Sequence, residues 1–210
     1  SARARNQFLG TWDFVQNEVS VNEDNSHGMQ CFSTAAAYRP GVFVGSSPEA
    51  KYFLLRTEDA PTEQIIEEYN WALAAEYADS AGVDVISSSL GYTTFDNAAF
   101  NHSYADMNGN TTVITRIADL AAKKGMLVVN SAGNEGDDPW KYIGAPADAD
   151  SILSVGAVNS SGMIAGFSSY GPTSDGQIKP DVVSLGQGTT ISTTSGTVGS
   201  GSGTSFSGPN

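Results

Sequence analysis

Lys123-Lys124-Gly125-Met126-Leu127-Val128-Val129-Asn130 holds the end of one element and all of the next. The apolar run Met126 to Asn130 is too short for a helix and has no polar alternation, so it reads as a strand buried on both faces. Gly125 closes a helix that begins near Thr112, with the basic pair Lys123-Lys124 at its negative end. The same grammar recurs upstream. Pro61 opens a helix with Ile65, Tyr69, Trp71 or Ala72, and Ala75 at helical spacing; Gly82 closes it, and Val83 to Leu90 follows as a strand. Lys51 to Arg56 is the strand before that helix.

Strand and helix in alternation predict a parallel sheet covered on both faces. Phe8 to Val15 predicts an earlier strand. Ser26 is the expected N-cap of a helix from His27 to about Tyr38, ended by Pro40-Gly41. Beyond Gly133 the pattern changes to short strands at 151–158, 164–167, 181–183 and 188–194, with nothing that splits the chain. The expectation is one domain over residues 1–210, of a size that buries a sizeable core.

Composition narrows the partners. The chain has 210 residues, a formal net charge of −13, 40% hydrophobic and 16% charged residues. So acidic a globular chain is repelled by nucleic acid and anionic membranes. One cysteine, Cys31, forms no intramolecular disulfide and no cysteine-based zinc cluster. No run has the length of a membrane span. The basic start, Ser1 to Arg5, leads into no apolar signal segment, so a leader is expected to have been removed or trimmed.

Three stretches carry candidate chemistry. The run Gly199-Ser200-Gly201-Ser202-Gly203 leads into Thr204-Ser205-Phe206-Ser207-Gly208-Pro209, which brings backbone close to a ligand and presents a hydroxyl at a turn into helix. His27 lies where a loop enters a helix. Asn134, in Ser131-Ala132-Gly133-Asn134-Glu135-Gly136, follows the carboxyl end of a buried parallel strand, where open α/β sheets place their ligand sites. Each alone is also what an ordinary turn carries.

Together they have a recognisable order. His27-Gly28, Ser89-Leu90-Gly91, Ala132-Gly133-Asn134-Glu135-Gly136 and Gly203-Thr204-Ser205 resemble the subtilisin-like serine peptidases, the subtilases. The resemblance covers nearly the whole chain through Leu9 to Val15, Val44 to Lys51, Ile143 to Ala147, Ser154 to Val158, Gly166 to Gly171 and Lys179 to Val182, in the family's order. It implies a three-layer, doubly wound, mostly parallel α/β sheet. It implies a serine endopeptidase with His27 as general base, Ser205 as nucleophile, and Asn134 with the Ser205 N–H as oxyanion donors. Ser89, Leu90 and Gly91 would pair as an edge strand with an extended peptide or protein substrate, and Ser131, Ala132 and Gly133 would wall the pocket opposite. No cofactor or metal is implied.

Departures from the family pattern carry expectations of their own. The family order is Asp, His, Ser, with the Asp ending a first strand. No such stretch is present, and Asp13 and Asp24 are poorly placed to replace it. The catalytic Asp is therefore expected before residue 1, and the long helix that Ser205 would begin is expected after residue 210. A chain lacking both is expected to be nearly inert, with Gly196 to Asn210 mobile or displaced. Missing segments of its own precursor, or self-association, would cover the gaps. The alternative is a non-catalytic binding or scaffold domain on the same fold. Cys31 falls where a subset of subtilases carries a cysteine beneath the histidine. Asp106 to Asn110 reads as a solvated turn rather than a calcium loop, with His102 a surface residue of the same loop. Family analogy implies a secreted, cell-surface or periplasmic bacterial location.

Overall fold

The computed structural model describes residues 5–22 and 25–210; Asp24, one of the weighed carboxylates, lies outside them. Among the described residues ten strands and four α-helices follow in order: β1 (Phe8–Asp13), α1 (His27–Ala36), β2 (Tyr38–Arg39), β3 (Phe43–Val44), β4 (Tyr52–Arg56), α2 (Ile66–Ser80), β5 (Val85–Ser88), α3 (Val113–Lys123), β6 (Leu127–Ser131), β7 (Leu153–Val158), β8 (Val182–Leu185), β9 (Gln187–Ser192), β10 (Val198–Ser202) and α4 (Thr204–Ser207). Strands β5, β6, β7 and β8 form a four-stranded parallel sheet in that order. Helices α2 and α3 cover one face; α4 lies on β6, β7 and β8 from the other, beside α1. This is the doubly wound α/β arrangement.

The parallel strands do not form one continuous sheet. Strands β1 and β4 pair parallel with each other as a separate ribbon. Among the described residues β4 pairs only with β1, and β5 only with β6, so each keeps an open edge. Helix α2 bridges the two sheets. Tyr77 meets Phe53 of β4 edge-on at 5.9 Å, and Trp71 Nε1 donates to Ser88 Oγ at the end of β5. On the other face Phe32 of α1 packs on Tyr52 of β4 at 4.8 Å.

The helices start and stop for local reasons. Thr112 caps α3, its hydroxyl accepting from Thr115 N. Gly125, at φ +106, takes the left-handed conformation that ends it. The cap of α1 is one residue from its expected place: Ser26 is already helical and makes no cap bond, while Asn25 Oδ1 accepts from His27 N at 2.9 Å. Helix α2 begins five residues after Pro61, because Asp59, Thr62 and Glu67 tie the preceding segment into a turn. No strand forms at 164–167, where one bridge, Ile164 to Val158, replaces it.

The main core lies between the sheet and α2–α3, with Trp71, Tyr92, Met107, Ile114, Ala118, Val128 and Ile152 among its buried members. His102 is not a surface residue. Its Nε2 lies 2.5 Å from Oε1 of the fully buried Glu68, whose Oε2 accepts from Ile114 N, so one carboxylate pins the 93–110 loop and the start of α3 to α2. Gly196 to Asn210 is not a loose tail either: β10 pairs antiparallel with β9, and Thr204 to Ser207 form a buried helical turn. Gly201 permits this closure, since a Cβ there would sit 2.7 Å from the Phe206 ring.

Candidate active site

The carboxyl ends of β5 and β6 bring the candidate residues to one edge. Strand β6 ends at Ser131, and Asn134 follows in a turn opened by Gly133 at φ +111. Asn134 Oδ1 accepts from Thr204 N at 2.8 Å and from Thr204 Oγ1 at 3.1 Å, and Gly133 N donates to Thr204 Oγ1 at 3.2 Å. These bonds lock the Asn134 turn onto the first residue of α4. With its oxygen engaged, the amide can offer only Nδ2 to a ligand; among the described residues Nδ2 donates to no protein group, and the side chain is exposed.

Ser205 is the second residue of α4 and is 7% exposed. Its carbonyl accepts from Ser89 Oγ at 2.8 Å, which ties the end of β5 to α4. Gly203 lies between these groups: a Cβ there would lie 3.7 Å from Asn134 Oδ1, 3.8 Å from Ser205 N and 3.9 Å from Asn134 Nδ2. The Asn134 amide and the Ser205 nitrogen therefore flank one point beside Gly203.

His27 opens α1. Burial of the ring pushes its pKa below the usual histidine value. The ring centroid stands 6.3 Å from that of Phe206, and Nε2 lies 3.5 Å from Cys31 Sγ. Among the described residues no hydrogen bond links His27 to Ser205 Oγ. Burial pushes the Cys31 thiol up to about 11, with a Ser89 hydrogen bond opposing, so the sulfur stays protonated.

The remaining candidates are placed as follows. Asp13 ends β1 on a task of its own, 1% exposed, with Oδ2 2.6 Å from Arg56 Nη1 and Oδ1 accepting from Val15 N and Gln16 N. Burial would raise its pKa, but the hydrogen bonds from Gln16, Arg56 and Val15 outweigh that and hold the carboxyl below its usual range. Ser89, Leu90 and Gly91 form no strand, and Leu90 O already accepts from Asn130 Nδ2 at 3.0 Å. Ser131 and Ala132 are buried, Ala132 among Ile143 and Ala147, which leaves Gly133 as the partly exposed member of that trio. In the Asp106 loop, Asp106 accepts from Ser103 and Asn108 Oδ1 from Asn110 N and Thr111. Among the described residues no group of three His, Cys, Asp or Glu is placed to hold a metal ion, and no helix is long and apolar enough to cross a membrane. Sequence reasoning missed Thr204, which orients Asn134; its place directly before the candidate serine was the available signal.

The layout defines a class: an α/β protein with its polar groups gathered beyond the carboxyl ends of parallel strands, a histidine and a serine each in the first turn of a helix. The Subtilase family model matches residues 1–210, and the chain belongs to that family. It is 31% identical over 204 residues to Subtilisin NAT of Bacillus subtilis subsp. natto, covering 95% of this chain and 47% of that protein. It is 29% identical over 174 residues to Thermitase of Thermoactinomyces vulgaris, covering 80% and 54%. The chain thus spans about half the length of the curated relatives it matches. Among solved structures, the self-cleaved protease domain of PatA superposes with a TM-score of 0.72 at 21% identity, over 97% of this chain and 68% of that one. The prenylagaramide maturation protease PagA gives 0.69 at 20% identity, over 88% and 60%. At these identities the structures establish the shared fold.

Proposed function

We propose that the protein is a serine endopeptidase in which His27, Ser205 and Asn134 act on a peptide bond. The observation that carries this reading is the cradle beside Gly203, a point within 4 Å of both Asn134 Nδ2 and Ser205 N. Two donors this close to one point suit the oxygen of a tetrahedral intermediate. In the proposed reaction, His27 takes the Ser205 Oγ proton as Oγ bonds to the substrate carbonyl carbon. The C=O electron pair moves onto oxygen in the cradle. On collapse His27 returns the proton to the leaving amine, and water then releases the acyl group by the same steps.

Two features support a further participant, an Asp on a strand from outside residues 1–210. One is the pair of open edges on β4 and β5, which α2 bridges on one face. The other is the His27 ring, whose Nε2 lies 3.5 Å from Cys31 Sγ and which has no hydrogen bond to Ser205 Oγ among the described residues. A strand pairing between β4 and β5 and ending in a carboxylate would hold the imidazole tautomer and turn it onto the serine. Without it, residues 1–210 are expected to turn over about 10⁴-fold more slowly than the extended protein. Peptide or protein substrates would lie against Ser89, Leu90 and Gly91 and against Gly133. A secreted or surface location in a bacterium follows from family analogy alone.

The test is labelling with a fluorophosphonate probe in a protein extended at both ends. Labelling of Ser205 that disappears in His27→Ala supports the peptidase. Failure to label, with the fold intact by circular dichroism, favours a non-catalytic scaffold.

A further inference from the structure

Strand β6 carries a buried amide at the end of its apolar run. Val128 and Asn130, two residues apart, share one face of the sheet, and Val128 belongs to the main apolar core. Asn130 is polar, yet it is fully buried. Its Nδ2 donates to Leu90 O at 3.0 Å and to Ser131 O at 2.8 Å, which uses both amide protons. Its Oδ1 is buried too and, among the described residues, has no hydrogen-bond partner. An orphaned acceptor costs stability, and an apolar side chain at this position would avoid that cost. What the position gains in exchange is a fixed geometry for two carbonyls.

Those carbonyls belong to the two segments read above as opposite walls of the substrate pocket. The ladder between β5 and β6 ends at the pair Ser88 and Asn130, and Leu90 lies two residues beyond it. The Asn130 side chain extends the pairing past that end by reaching Leu90 O. The same nitrogen holds Ser131 O, where the chain leaves β6 for the Gly133–Asn134 turn. Other bonds fix the first segment to different parts of the molecule. Ser89 Oγ ties it to Ser205 O, and Tyr92 N donates to Ala145 O at 2.8 Å just past its far end. Asn130 Nδ2 touches both walls.

We propose that Asn130 is a positioning residue that sets the spacing between Ser89–Gly91 and Ser131–Gly133, and with it the size of substrate side chain accepted between them. The proposal rests on the peptidase reading above, in which those segments enclose the residue before the scissile bond. Leu90 packs on the main core, so loss of the amide leaves its segment attached but free to shift. Packed walls discriminate finely, and a small shift changes how well a pocket separates side chains differing by a methylene or a ring. Asn134 is held by Thr204 instead, so the candidate oxyanion donor is positioned by separate bonds. Selection by size and stabilisation of the oxyanion thus depend on different side chains.

Matched peptides with Ala, Leu or Phe before the scissile bond test this in the protein extended at both ends. Ratios of kcat/KM between the peptides cancel any loss common to all of them, including a smaller folded fraction or a weaker nucleophile. Asn130→Leu keeps the volume and removes the donor; Asn130→Ala removes both. If the bond sets the pocket, both variants should flatten the ratios by about fivefold or more. If Asn130 only fills space, Asn130→Leu should keep the wild-type ratios, and that result would overturn the proposal. Circular dichroism checks each fold, and should Asn130→Leu not fold, unchanged ratios in Asn130→Ala would overturn it equally. A wild type that cleaves no peptide and takes no fluorophosphonate label removes the peptidase reading and this proposal together. A labelled, active wild type whose ratios survive in the variants removes this proposal alone.

Discussion

The sheet of β5 to β8 carries helices on both faces, but the faces are built differently. On the α2–α3 side fourteen buried residues form one continuous apolar cluster, braced by the buried Glu68 and its bonds to Ile114 N and His102. On the α1–α4 side the cluster beside the candidate site is, among the described residues, Cys31, Ile191 and Phe206. Here hydrogen bonds take over: Asn134 to Thr204, Gly133 to Thr204, Ser89 to the Ser205 carbonyl. Apolar burial stabilises in proportion to area and is indifferent to direction, whereas hydrogen bonds contribute less and fix geometry. One face stabilises the molecule and the other fixes the positions of Asn134 and Ser205.

Substitutions that shrink the large core should therefore have the largest effect. Ile114, fully buried between α2, α3 and β6, should lose about 3 to 4 kcal/mol on Ile114→Ala, read from urea melts. Glu68→Ala should cost about 3 kcal/mol, because it leaves the Ile114 N–H without its acceptor and His102 without its carboxylate. Phe206→Ala removes a larger side chain from the thin face, yet should cost less than Ile114→Ala, since its buried apolar cluster is small and the site can collapse. Equal losses at Ile114 and Phe206 would break the distinction between the faces.

What the sequence made legible follows the same division. Strand β6 and helix α3 were readable because burial on both faces writes a continuous apolar run, and a helix end at left-handed backbone selects Gly125. Asn134 and Ser205 stood out because glycines crowd the stretches that carry them. The tertiary partners were not legible. His102 and Glu68 are 34 residues apart, and nothing local to His102 marks it for a buried carboxylate. Strand β10 was hidden by its own glycines, which signal a loop, yet are needed where Phe206 presses on Gly201. The split between β4 and β5 was invisible as well, since pairing partners are a property of the whole sheet.

Acid–base behaviour separates the two faces as well. Where β4 leads into α2, burial first, then the charge of Glu67, pushes the Glu58 carboxyl up to about 7, and the same causes, with Glu58 added, push Glu63 up to about 8. Both hold protons in the folded state that an unfolded glutamate releases near 4.5. Their contribution is fully present below pH 4.5 and is lost as pH rises through 7 to 8. Thermal melts should show stability falling across that window, and Glu58→Gln should flatten the slope. A slope unchanged in Glu58→Gln would assign the effect to other groups.

His27 should give the smallest effect, of opposite sign. Burial disfavours its charged form, so its folded pKa lies below the ordinary 6.5. As pH falls through 6.5 the unfolded chain binds a proton that the folded state still refuses, and stability drops until the lower folded value is passed. Below that point the loss is constant. The acidic junction thus favours the folded state as pH falls, while the site histidine opposes it. Proton NMR of the His27 ring should give a midpoint below 6.5 in residues 1–210. A carboxylate brought beside the ring by an added strand would stabilise the imidazolium and move that midpoint upward. An extended protein whose His27 midpoint equals that of residues 1–210 would mean that no such carboxylate reaches the ring, and the proposed third member of the site would fall.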